Sequence, residues 1–216
     1  MKMQFSEFIC GLAFLGAATA ATAQGTIAVS NLGIPSQFVY VYNGQWIAKE
    51  FTTGASATNL NSVDLEVQIT GAPAGFGVSL FSDASGQPGS SLAVLAGPAP
   101  SALTYTDYNY TAPADTILSA STSYWLVLSA TAAPNFSTAF EVGRLPSSNT
   151  SYTGLSGWSL ATGDAASGNQ SGSWTVYPSD NNPMIQVNIG PVPEPSTLAL
   201  SVMGGLGGLL LFRRRK

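Results

Sequence analysis

Histidine is absent from the 216-residue chain, and its single cysteine, Cys10, lies near the N-terminus. Without histidine there is no Ser-His-Asp triad, no Cys-His pair and no His-ligated metal, and one cysteine makes no intramolecular disulfide. Charge is scarce too: 8% of residues are charged, against roughly 25% in an average soluble domain. Lys2 opens the chain and Arg213, Arg214, Arg215 and Lys216 close it, leaving only Lys49 and Arg144 between. An interior so poor in cations does not neutralise a phosphate backbone, so no nucleic-acid partner is expected. What is plentiful is glycine, 23 residues, and proline, 13. The length suits one domain with appendages.

The first appendage reads as a secretory signal peptide over residues 1–23. Lys2 supplies a positive start, residues 8–18 form a short apolar stretch, and Ala21 and Ala23 are the small residues at a cleavage site before Gln24. Glu7 is unusual so close to the apolar stretch; the alternative is a buried N-terminal helix. Ile9 before Cys10 is too large for a lipoprotein site, and cleavage after Ala23 removes the thiol, so the mature chain is indifferent to an oxidising compartment. General secretion machinery and signal peptidase are the implied partners.

At the other end, Pro191-Val192-Pro193-Glu194-Pro195 is held extended by its prolines. Residues 198–212 then run without charge, ahead of the basic cluster Arg213 to Lys216. A helix of that length spans about 22 Å, short of a hydrocarbon core of roughly 30 Å, and starting at Ser196 with snorkelling arginines narrows the gap. The basic cluster is expected to stop on the cytoplasmic side. Val192-Pro193-Glu194-Pro195-Ser196-Thr197, the glycine-rich apolar segment and the basic end together resemble the PEP-CTERM sorting signal of Gram-negative bacteria. The resemblance implies that exosortase, a membrane-embedded transpeptidase, recognises Pro193, Glu194 and Pro195. It also implies transient inner-membrane anchoring, then release to the cell surface or a polysaccharide matrix. The alternative is a plain tail anchor behind a Pro-rich linker.

Between the appendages, residues 24–190 alternate with period two. Val63, Leu65, Val67 and Ile69 fall on one face of a strand, with Asp64, Glu66 and Gln68 on the other, and Ile185, Val187 and Ile189 repeat the pattern. Shorter strands are expected at 38–42, 75–81, 92–95, 103–110, 123–129, 139–142 and 173–177. Tyr124 to Leu128 is apolar on both faces, as in a central strand covered on both sides. Gly86-Gln87-Pro88-Gly89, Gly97-Pro98-Ala99-Pro100 and Asp180-Asn181-Asn182-Pro183 read as turns. The expectation is an all-β, antiparallel, jelly-roll-like sandwich, flanked by a signal-peptide helix and a C-terminal transmembrane helix within 191–216. Residues 145–172 are expected to be long loops around Trp158. Phe51-Thr52-Thr53-Gly54, Leu60-Asn61-Ser62-Val63, Val78 to Asp83 with Gly86 to Ser90, and Leu118-Ser119-Ala120 with Tyr124 to Leu128 resemble the bacterial choice-of-anchor modules, most nearly type R. That label implies architecture and no activity.

Nine carboxylates fall within residues 24–190: Glu50, Asp64, Glu66, Asp83, Asp107, Asp115, Glu141, Asp164 and Asp180. Asp64 and Glu66, two apart on one strand, lie about 7 Å apart, within the spacing that glycoside cleavage uses, although the alternation places them on a solvated face. Asp83 to Gln87 and Asp180 to Asn182 resemble cation loops faintly; turn chemistry is the stronger reading. Trp125 is expected in the core. Trp158, in a Ser/Gly loop, is the candidate glycan contact, against the alternative that it pins its loop to the core. With Lys49 the only lysine near the strands, sheet edges have little charge to guard them, and edge-to-edge association is expected. No catalytic residue, metal or cofactor is assigned. The expected function is that of a secreted structural or adhesive protein of an extracellular matrix or biofilm, with exopolysaccharide as partner. The alternatives are a carboxylate-dependent glycan hydrolase or lyase and a calcium-stabilised carbohydrate-binding module.

Overall fold

A computed structural model describes residues 25–146, 149–162, 164–168, 172–178 and 182–190. The signal peptide with Ala21 and Ala23, the sorting segment with Pro193, Glu194 and Pro195, the basic cluster Arg213, Arg214, Arg215 and Lys216, and both expected flanking helices lie outside these residues. Among the described residues there is no α-helix, and hence none long and apolar enough to cross a membrane.

The first half of the chain contributes β1 (Thr26–Ser30), β2 (Gln37–Val41), β3 (Trp46–Thr52), β4 (Thr58–Thr70), β5 (Ala74–Asp83), β6 (Pro88–Leu95), β7 (Thr106–Thr111) and β8 (Ile117–Leu118). The second contributes β9 (Ser123–Ala132), β10 (Ala139–Leu145), β11 (Thr153–Gly154), β12 (Ser159–Leu160), β13 (Asp164–Ser167), β14 (Thr175–Tyr177), β15 (Asn182–Pro183) and β16 (Ile185–Gly190). They form two antiparallel sheets. One has nine strands in the order β11-β1-β16-β4-β10-β15, with β2 joined to β10 and β7 and β8 joined to β4. The other has seven, β14-β13-β3-β9-β5-β6, with β12 joined to β3.

Alternation explains both layers. On β4 the side chains of Val63, Leu65 and Val67 are fully buried while Asp64, Glu66 and Gln68 face outward. Val63 and Leu65 share one core cluster with Ile47, Phe51, Leu126 and Leu128 of the seven-stranded sheet, so the sheets pack face to face. Phe76 of β5 meets Phe140 of β10 across this core with ring centroids 4.7 Å apart. Each large apolar side chain buried there contributes about 1.5–3 kcal/mol.

Strand β9 is central and apolar on both faces, as expected. Leu126 and Leu128 point into the main core, while Trp125 and Val127 join Ala48 and Ala165 in a smaller cluster capped by Trp46, Phe81 and Trp174. Two expectations need correction. Residues 145–172 are not loop alone, because β11, β12 and β13 extend the two sheets through this stretch. Asn182-Pro183, read as part of a turn, forms β15, and Asn182 is buried.

Candidate functional site on the outer face of the nine-stranded sheet

Cross-strand register assembles a polar face around β4. Asp64 stands opposite Asn109 of β7 and Gln186 of β16; Glu66 stands opposite Asp107; Gln68 stands opposite Glu141 of β10, which in turn faces Tyr40 of β2. The proposed Asp64–Glu66 pair does share this face, but the two carboxylates have different surroundings. Asp64 accepts hydrogen bonds from Asn109 Nδ2 (2.7 Å), Gln186 Nε2 (2.8 Å) and Asn188 Nδ2 (2.7 Å). Asn188 Nδ2 also donates to Ser62 Oγ at 3.1 Å. A carboxylate occupied by three amide donors is a structural hub, with little capacity left to act as a base.

Glu66 differs. Its carboxyl is pushed above its usual range, chiefly by burial and then by the charge of Asp107 directly across the strands. Glu141 is buried and accepts from Gln68 Nε2 (2.5 Å) and Thr70 Oγ1 (2.6 Å). Tyr105, just before β7, places a buried hydroxyl that has no hydrogen-bond partner among the described residues. Burial, followed by the charges of Glu141 and Glu66 and by Tyr40, pushes this phenol up to about 12, so it is a neutral donor at physiological pH.

An aromatic band borders these groups. Phe38 and Tyr40 meet edge to face at 5.0 Å, and Tyr40 lies 6.3 Å from Phe136. Phe38 is 42% exposed and Phe136 61%, so both offer ring surface to solvent. Phe38, Tyr105 and Arg144 line an open cleft of about 400 Å³ together with Pro35, Ser36 and Gln37. Gly143 makes room for that wall, since a Cβ there would come within 3.0 Å of Pro35 Cβ. Exposed rings beside planar amide, carboxyl and guanidinium groups match the two faces of a sugar, one apolar and one rich in hydroxyls.

The candidate glycan contact, Trp158, is elsewhere and is corrected. It is 7% exposed, stacked on Phe51 at 6.3 Å with ring planes 8° apart, and belongs to the main core. The ring pins its loop to the core immediately before β12, where Leu160 is buried beside it. Trp125 is in the core as expected, its indole donating to Asp83 Oδ1 at 2.9 Å. Asp83 also accepts from Gly86 N–H at 3.0 and 3.2 Å, closing a turn in which Ser85 and Gly86 have positive φ. That carboxylate is therefore committed to turn and indole. Among the described residues no three His, Cys, Asp or Glu side chains gather as a metal site. Asp180 lies outside them.

Lys49 departs furthest from expectation. It guards no edge: β3 lies between β13 and β9, and Lys49 is fully buried. Its Nζ donates to Ala161 O and to Asn182 Oδ1 (2.5 Å). Burial lowers its pKa to about 8, against the opposing effect of the nearby Asp164 and Glu50 charges. The sequence signal for this was the spacing Ile47, Lys49, Phe51, which puts the lysine on the apolar face of its strand.

No curated protein matches the chain. Residues 191–216 match a family described as the PEP-CTERM protein-sorting motif. That motif implies an exported protein sorted by exosortase to the cell surface of a Gram-negative bacterium.

Proposed function

We propose that the exported domain is a non-enzymatic adhesive or structural module that holds neutral polysaccharide on the outer face of its nine-stranded sheet. In this reading signal peptidase removes residues 1–23, the C-terminal segment anchors the chain briefly in the inner membrane, and exosortase then delivers it to the surface or matrix. The likeness to choice-of-anchor type R modules supports a display domain with no chemistry of its own. The observation that carries the reading is the band Phe38, Tyr40 and Phe136 lying beside Gln68, Glu141, Tyr105 and Arg144. Rings supply stacking surface for the apolar face of a sugar.

The test is retention of the protein on matrix polysaccharide purified from the producing cell, compared with Phe38→Ala and Tyr40→Ala. Stacking contacts are worth about 0.5–1.5 kcal/mol beyond area burial, so each variant is expected to weaken binding several-fold while its circular dichroism stays unchanged. Full retention by the double variant overturns the assignment of this face. A second reading, glycan hydrolysis, has one observation in its favour: Glu66, its pKa raised, opposite Asp107. It moves the acid pair from Asp64 and Glu66 to Glu66 and Asp107. Release of reducing ends from that polysaccharide, abolished in Glu66→Gln, would establish it over the binding role.

A further inference from the structure

Three side chains that serve no part of the outer face converge in the core. Lys49 projects inward from β3 of one sheet, Asn182 from β15 of the other, and Asp164 from β13. They are 0%, 3% and 1% exposed. Lys49 Nζ sits 2.5 Å from Asn182 Oδ1, one bond from the amide carbon. Asp164 neighbours the lysine in the β13–β3 register, where Ala165 pairs with Ala48, and its charge acts on the amine.

We propose that this cluster is a self-modification site, in which Lys49 Nζ forms an amide bond with the side-chain carbonyl of Asn182 and joins the two sheets covalently. The reaction needs no oxidant and no cofactor. A proton passes from the lysine ammonium to Asp164, leaving a neutral amine beside a carboxylic acid, a pair that a dry core tolerates better than separated charges. The amine lone pair adds to Asn182 Cγ, forming the new C–N bond and placing negative charge on Oδ1. Asp164 gives its proton to Nδ2 and takes one from the attacking nitrogen. The Cγ–Nδ2 bond then breaks and ammonia leaves. The products are one secondary amide, one ammonia and an Asp164 that is again protonated.

The surroundings suit each step. Asn31 Nδ2 donates to Asn182 Oδ1 at 3.3 Å, where charge develops, and Asn31 is itself fixed by Ile185 N–H donating to its Oδ1 at 2.7 Å. Asn182 Nδ2 donates to Asn149 O at 2.8 Å, which orients the leaving group. Ala161 O holds the amine from the other side. Burial favours the neutral amine needed for attack. A cavity of about 130 Å³, lined by Asp164, Ala161, Glu50 and Trp125, borders the acid side of the cluster. Positioning of this kind converts an otherwise negligible amine–amide exchange into a unimolecular step.

The test reads the product directly. Protein of unaltered sequence, recovered from the envelope or medium of the producing cell, is denatured, digested with chymotrypsin and mapped by mass spectrometry. The expected result is a branched species joining the Lys49 peptide to the Asn182 peptide, lighter than their sum by one ammonia. Trypsin should correspondingly fail to cut after Lys49. Recovery of the two peptides only as separate, unmodified species overturns the proposal, whatever any variant does. Asp164→Asn keeps amine and amide and is expected to abolish the branched species; its persistence at wild-type yield would remove Asp164 from the mechanism. Neither outcome depends on whether the outer face binds glycan.

Discussion

Replacing Trp158 with alanine separates a core anchor from a ligand platform. The indole is buried and stacked nearly parallel on Phe51, which stacks in turn on Tyr124 at 5.9 Å. Removing it deletes one outer layer of a three-ring stack centred on Phe51 and leaves a cavity the surrounding strands close only in part. Buried Trp→Ala changes cost about 3–5 kcal/mol. With urea m-values of about 1–3 kcal/mol per M, the unfolding midpoint should fall by more than about 1 M. A second substitution reaches the ring from outside. A Cβ on Gly54 would lie 2.8 Å from Trp158 Nε1 and 2.9 Å from Cδ1, so Gly54→Ala should displace the indole and cost about 1–3 kcal/mol by overpacking. Both variants, once folded, should bind polysaccharide as the unmodified protein does. An unchanged urea midpoint in Trp158→Ala, together with lost glycan retention, would refute the burial argument and restore the ring as a platform.

Other expectations follow from the same geometry. Glu66→Gln should stabilise the protein at neutral pH and not at low pH. The raised folded-state pKa means stability is lost as pH climbs through the ordinary value of 4.5 toward the folded value, and melting temperatures of the two proteins from pH 4 to 7 should diverge upward. Tyr105→Phe removes a buried hydroxyl that has no hydrogen-bond partner among the described residues, so it should leave the urea midpoint unchanged or raise it, the gain being up to about 1 kcal/mol. Gly75→Ala places a side chain at φ +72 and 3.2 Å from Ala132 N, and should cost about 1–2 kcal/mol in thermal unfolding. Glu194→Ala, in the matched sorting motif, should leave unprocessed protein in the membrane fraction on an immunoblot.

The period-two core of this fold is legible in the chain because the principal strands each have one wet and one dry face. Val63, Leu65 and Val67, and Ile185 and Val187, identify their own inner sides, and the doubly apolar Tyr124–Leu128 run identifies a central strand. Strand order is not legible, since pairing Ile185 with Leu65 or Phe140 with Val41 depends on loops that carry no periodicity. The same gap hid the candidate site. Glu66 and Asp107 are 41 positions apart in the sequence, and only register sets them opposite each other. Composition misled in two places. A lone tryptophan among Ser and Gly reads as exposed, yet Trp158 and its neighbour Leu160 both reach the core from this stretch. A lone lysine reads as a surface group, yet Lys49 alternates with Ile47 and Phe51 and follows them inward.

That lysine gives the core a measurable pH signature which depends on whether the covalent link has formed. As a free amine it is depressed to about 8 in the folded state from 10.5, while the unfolded chain retains the ordinary value. Between those values the unfolded state binds the extra proton, so stability must rise with pH across the window, and below about pH 8 the burial penalty is present in full. The depression corresponds to about 3 kcal/mol. An amide at Lys49 has no proton to exchange, and the slope vanishes. Linking Lys49 to Asn182 also closes a loop of 133 residues, and on a chain-entropy estimate such a closure is worth about 5 kcal/mol. Asp164→Asn keeps the buried amine and removes a charge that raised its pKa, so it should display the slope at full strength together with a lower midpoint. Protein of wild-type sequence, carrying the link, should be flat between pH 8 and 10 and should unfold at higher urea. A steep slope in the protein of wild-type sequence, equal to that of Asp164→Asn, would mean that Lys49 remains an amine. The sheets would then be held without a covalent link, in a chain whose only cysteine is Cys10.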